Sequence, residues 1–187
     1  MNSHSSLQVL LDDISSKQKK GLPFILASIC IWGIIAIITF TSLDLMVKNI
    51  ITLSCGALLF PVSTIWAKIF KVNLFYKENP MINGLLIATN NQVLYLIICV
   101  FLLIKAPTLV LPAYAVIYGA HLLPYSFFYQ SKGYRNVCIF ICLAILVGLV
   151  FLRLSVGFIP LIVEIGVISL ALLLRKELQK KINSSKT

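Results

Sequence analysis

The sequence predicts an all-α membrane protein, a bundle of six transmembrane helices with short loops and both termini on the cytoplasmic side. Three observations carry this. Of 187 residues, 59% are apolar and 12% charged, whereas soluble domains hold about 45–50% and roughly 25%. The apolar residues form six runs, each long enough to cross a hydrocarbon layer about 30 Å thick, which takes about 20 helical residues. The basic residues alternate from loop to loop, and that alternation fixes orientation.

The runs extend from about Leu22 to Leu43, Lys48 to Ile69, Met81 to Ile104, Thr108 to Tyr129, Tyr134 to Leu152 and Leu154 to Leu174. Each must be helical, because in lipid every backbone N–H and C=O has to find its partner within the segment. The connections are so short that consecutive helices are antiparallel neighbours. Arg153 marks the turn between the last two runs, supported by Gly157 and Pro160.

With the first terminus inside, thirteen of the sixteen basic residues fall on the inner side, leaving Lys48, Lys105 and Arg153 outside. Both ends are therefore expected to be cytoplasmic and the location the plasma (inner) membrane. The net charge of +10 then reflects topology and attraction to anionic lipid at the cytoplasmic face. Dispersed over short loops, it gives no nucleic-acid footprint.

Residues 1–21 are read as a cytoplasmic amphipathic segment, 22–175 as the transmembrane domain and 176–187 as a basic cytoplasmic tail. In the first segment Leu7, Leu10, Leu11 and Ile14 recur at helical spacing behind a capping pattern from Ser5 to Gln8. Such a helix can lie on the inner membrane surface; a partly ordered tail is the alternative. No apolar run or cleavage pattern at the start marks a secretory signal.

Cys30, Cys55, Cys99, Cys138 and Cys142 all fall within spans, an odd set that makes poor material for a disulfide framework. Cys138 and Cys142 share a helix face, with Cys30 at similar depth. Thiolates are soft-metal ligands, but a buried thiol commonly serves as a small hydrophobe. No metal site is assigned.

Polar residues inside the spans point to a midplane site. Glu164 is the one acidic residue in a run, and it must be protonated, paired or wetted. His121, Asn91 and Glu164 are expected within roughly 5 Å of one another in height, at about 1.5 Å per residue. Tyr118 and Tyr125 share a face with Tyr114, and His121 lies close to it. Asn90, Asn91 and Gln92 sweep about 200° of the helical wheel, so they must address more than one neighbour. Carboxamides donate and accept without charge, which suits a polar solute, a file of water or interhelical bonding.

Pro61, Pro112, Pro124 and Pro160 are expected to break helices within spans and free carbonyls one turn back. Pro160, one turn before Glu164, would then open backbone beside that carboxyl. The fragments "LLFPVS" and "LLPYS", followed by "FYKENP" and "FYQSKG", hint at a duplicated hairpin. The small pairs Ala115/Gly119 and Ala144/Gly148 permit close helix crossings.

"QKKGLPFILA" before the first run, "NP" after the second, the polar third run and "GAHLLPYSFFYQSK" in the fourth together resemble a family of small multi-pass bacterial membrane proteins with no assigned activity. The resemblance covers most of the chain and implies a six-helix inner-membrane protein. It transfers no functional residues.

The expected function is a carrier or channel for a small solute or ion, proton-coupled through Glu164, with His121, Asn90, Asn91, Gln92, Tyr118 and Tyr125 around the site. A thin six-helix bundle of this kind is expected to work as a homodimer or larger. The alternative is a non-transporting membrane protein that binds or regulates a partner, its polar residues acting as interhelical glue. An enzyme is not expected: there is no Ser elbow, metal-binding His pair, paired carboxylates or glycine-rich phosphate loop. No cofactor is expected, and the solute is not identified.

Overall fold

The computed structural model describes residues 3–74 and 76–184. Among these every regular element is helical: α1 (Ser3–Lys17), α2 (Leu22–Thr39), α3 (Leu45–Cys55), α4 (Leu59–Phe70), α5 (Met81–Lys105), α6 (Val110–His121), α7 (Leu123–Phe128), α8 (Lys132–Val150) and α9 (Ile159–Ser184). α3 with α4, and α6 with α7, each form one crossing unit, giving six helices long and apolar enough to span a membrane. The chain is a multi-pass membrane protein with an all-α, six-helix bundle.

Local chemistry sets the ends. Asp44 caps α3 by accepting from Met46 N at 2.8 Å, and Ser131 caps α8 by accepting from Gly133 N at 3.2 Å, each filling a donor the helix leaves open. At Arg153 the backbone turns left-handed (φ 48°). Leu152 N and Leu154 N then bond Val147 O and Gly148 O at 3.1 and 2.9 Å, so the last carbonyls of α8 are satisfied before the chain reverses.

The prolines separate into two classes. A 3₁₀ turn at Gly56–Leu58 divides α3 from α4 just before Pro61, and the helix is interrupted at Leu122 just before Pro124. Pro112 and Pro160, expected to break spans, instead stand in the first turns of α6 and α9. There a missing N–H costs nothing, because the first turn has no intrahelical acceptor for it. Pro160 therefore opens no backbone beside Glu164.

The spans form an arc in the order α4, α2, α9, α8, α6, α5. Trp32 of α2 reaches across it, its ring 5.5 Å from Tyr114 and 5.3 Å from Tyr118 of α6. Ile141 of α8 is fully buried where two helices approach it through glycine. A Cβ on Gly119 would lie 2.8 Å from Ile141 Cγ2, and one on Gly166 2.8 Å from Ile141 Cγ1. Close approach of this kind carries helix association in lipid, where apolar burial supplies little drive. Gly166→Ala is accordingly expected to cost about 1–3 kcal/mol through overpacking. Gly33→Ala, with no atom within 4 Å, is expected to be neutral or slightly stabilising; denaturation in detergent compares the two.

α1 lies across the end of the bundle that carries most of the basic residues. Leu11 and Ile14 are buried while Leu7 and Val9 are exposed, so the inner part of its apolar stripe seats on protein. Asn79 Nδ2 donates to Leu10 O at 2.8 Å and to Asp13 Oδ2 at 2.9 Å, while its Oδ1 accepts from Met81 N at 2.9 Å. One buried carboxamide thus ties α1 to the start of α5. Helix α1 begins at Ser3, so Ser5 lies inside its first turn and not at its cap. α9 continues to Ser184, so residues 176–184 of the basic C-terminal segment extend the last span as helix.

Candidate solute site

Two adjoining cavities of about 110 and 240 Å³ share Phe24, Ser28, Leu59, Phe60, Thr89, Gln92 and Tyr118. Together they make one cleft inside the arc, between α2, α4, α5 and α6. Phe60 and Val93 line it and are also exposed outward, by 49% and 62%. α4 and α5 pack little against one another. The cleft therefore opens sideways between them.

Its polar groups are uncharged. Tyr125 Oη lies 2.8 Å from Thr89 Oγ1 and 3.0 Å from His121 Nε2, which makes a hydroxyl–hydroxyl–imidazole chain from α5 through α7 to α6. Gln92 lies one turn beyond Thr89 on the same face, and Ser28 faces them from α2. Tyr118 is 5% exposed, with its hydroxyl within reach of the Ser28 hydroxyl of α2 but not in a well-formed hydrogen bond with it. No carboxylate, ammonium or guanidinium side chain is in the lining. A charged solute would meet no counter-charge here, whereas an uncharged one with polar groups finds donors and acceptors on apolar, aromatic walls.

The end toward α1 is shut. The rings of Tyr125, Tyr129 and Tyr134 sit 5.7 to 5.9 Å apart, centroid to centroid. Tyr129 Oη donates to Gln18 Oε1 at 2.8 Å, and Tyr134 Oη donates to Lys20 O at 2.6 Å. Those acceptors belong to the link between α1 and α2, where Lys19, Lys20 and Gly21 are all left-handed, with φ of 45°, 53° and 70°. Lys20 Nζ pairs with Glu177 Oε2 at 2.7 Å, and Glu177 Oε1 accepts from Ser131 Oγ at 3.0 Å. The closing layer therefore joins α1, α8 and α9.

The expected cluster divides in this arrangement. His121, Gln92, Tyr118 and Tyr125 come together in the cleft. Asn90 and Asn91 are on the outward face of α5, and Asn91 Nδ2 donates to Tyr95 Oη on the same helix at 3.0 Å. Glu164 is half-buried, with Oε2 buried and without a hydrogen-bond partner among the described residues. It does not line the cleft. Of the cysteines, Cys30 is exposed and Cys138 buried, and the described residues hold no group of three metal-ligating side chains.

Sequence reasoning missed Ser28 and Thr89, small hydroxyls that read as ordinary within apolar runs. It also missed Gln18, Tyr129 and Tyr134 as closing residues. The one available signal was spacing, since Leu85, Thr89, Gln92 and Leu96 recur at four, three and four residues and define the face of α5 toward the cleft.

Comparison with curated proteins and with solved structures gave no match. A family model described only as a family of unknown function matches residues 7–177, from α1 through the Glu177 that pairs with Lys20. The chain belongs to this family of unknown function, DUF7010.

Proposed function

We propose that the chain is a carrier for a small uncharged solute, oriented with both termini in the cytoplasm and with the cleft as its binding site. The observation that carries this reading is that three spans converge neutral polar side chains, Ser28, Thr89, Gln92 and Tyr118, on one cleft. Thr89, Tyr125 and His121 bond one another as interhelical glue would, but Ser28, Gln92 and Tyr118 still border open space in both parts of the cleft. No bond-making step is involved. The cleft accepts solute while the tyrosine layer holds the cytoplasmic end shut, and releases it when α1 and that layer move apart.

Proton coupling is assigned to Glu164, the half-buried carboxyl within the last span, which lies outside the cleft lining. An ionisable group held within a span commonly marks a proton or ion path. The test uses liposomes carrying the purified protein and a pH-sensitive dye, with a panel of uncharged polyols, amides and phenols added outside. Solute-dependent proton movement in the wild type, lost in Glu164→Gln and reduced at least tenfold in Gln92→Leu, is expected. Solute movement that is indifferent to Gln92→Leu would remove the cleft from the path. Solute movement that survives Glu164→Gln without change would end the coupling role.

A further inference from the structure

α5 carries two carboxamides near mid-span on the side that its own bundle leaves bare. It is the least covered of the spans. Apart from Val93 (62%) at the mouth of the cleft, its most exposed large apolar residues are Ile87 (71%), Leu94 (63%), Ile97 (66%), Phe101 (60%) and Ile104 (72%). With Asn90 these run at alternating steps of three and four residues, the a/d register of two helices packed side by side. Asn90 falls on that seam at a core position and Asn91 flanks it. Asn91 is engaged by Tyr95 on its own helix, whereas no such bond within the helix engages the Asn90 side chain. Asn90 lies three residues from the middle of α5, about 4.5 Å in height, where lipid can satisfy neither its donors nor its acceptor.

We infer that this face is the interface of a parallel homodimer, with two copies of α5 packed about a two-fold axis normal to the membrane. Copies inserted with the same orientation bring identical residues opposite one another on such an axis. A carboxamide is at once donor and acceptor, so Asn90 is complementary to Asn90 of the second copy. A single polar residue at an a or d position fixes register in this way. The occupant is a second copy because the seam's polar group and its repeat are both self-complementary. The opposite face of α5 walls the cleft through Thr89 and Gln92, so the dimer also steadies the wall beside the lateral opening, which packs little against α4.

The test is oxidative cross-linking in liposomes of a chain whose native cysteines are replaced by alanine, with single cysteines placed along α5. Cross-linking at Asn90→Cys, Leu94→Cys and Ile97→Cys is expected to resist dilution with lipid. It should be absent at Leu172→Cys on α9, a position 55% exposed. Equal, dilution-sensitive cross-linking at all positions, or none along the seam, would overturn the interface. The same holds for cross-links found only to another protein in native membranes. Energy transfer between labelled copies of the chain with its own cysteines retained supplies a second readout. Asn90→Leu is expected to raise the dimer dissociation constant about three- to thirtyfold, the range for one intramembrane hydrogen-bonded contact. An unchanged constant would remove Asn90 from the interface.

Discussion

Gly21→Ala is expected to destabilise the closed end of the bundle by about 2–5 kcal/mol. Two costs combine. Gly21 has φ 70°, where an L side chain costs roughly 1–2 kcal/mol. Its added Cβ would lie 2.7 Å from Tyr129 Cε2 and 2.9 Å from Tyr134 Oη, so both rings must shift, and overpacking of this kind costs about 1–3 kcal/mol. Tyr134 cannot move without loosening its bond to Lys20 O, and Tyr129 cannot move without loosening its bond to Gln18. The measurement is protease sensitivity of the link between α1 and α2 together with the unfolding midpoint in detergent. A Gly21→Ala chain as resistant as the wild type would show that the left-handed link does not hold the closure.

The second large effect is expected at the Lys20–Glu177 pair. The two side chains are 12% and 32% exposed, and Glu177 is held from its other oxygen by Ser131. Glu177→Gln keeps the shape but leaves a partly buried ammonium without its counter-charge, which costs about 1–3 kcal/mol. The loss falls on the contact between α9 and the link, so it is read as local opening and not as global unfolding. Tryptic cleavage after Lys17 or Lys19 should rise about 5- to 150-fold in the population-controlled regime. Lys20→Met combined with Glu177→Gln should restore part of the resistance, because the uncompensated charge is then gone. Strict additivity of the two changes would show that the pair is not coupled.

The spans were legible because lipid leaves the backbone one solution, and the turn at Arg153 was legible because a charge and a reversal coincide there. Faces were harder. Leu, Ile and Val suit lipid and protein neighbours alike, so hydropathy does not tell which side of α5 meets the bundle. Placing Asn90 and Asn91 inward assumed that polar means buried within the protomer. The wheel alone allowed Gln92 and Thr89 to take that side and send the two asparagines out. Pro160 was misplaced for a different reason: Ser155 caps a short 3₁₀ turn, so α9 starts at Ile159 and not at Leu154, and the ring falls in its first turn. The apolar stripe of α1 was visible as a pattern. What covers its inner part, the buried end of the bundle beside Asn79 and Tyr129, depends on contacts more than sixty residues away in sequence.

Access to Ser28 decides whether the cleft is open to solute. Its side chain lines both parts of the cleft, and Ser28→Cys is nearly isosteric. In a chain free of native cysteines and reconstituted with known orientation, a small membrane-impermeant thiol reagent is applied from one face at a time. The Ser28→Cys thiol is expected to react from both faces, slowly from the α1 side in the otherwise unaltered chain and several-fold faster there once Glu177→Gln releases α1. No reaction from either face, with a loop cysteine fully labelled in the same vesicles, would contradict a solute-accessible cleft and leave the polar residues as packing within a closed bundle.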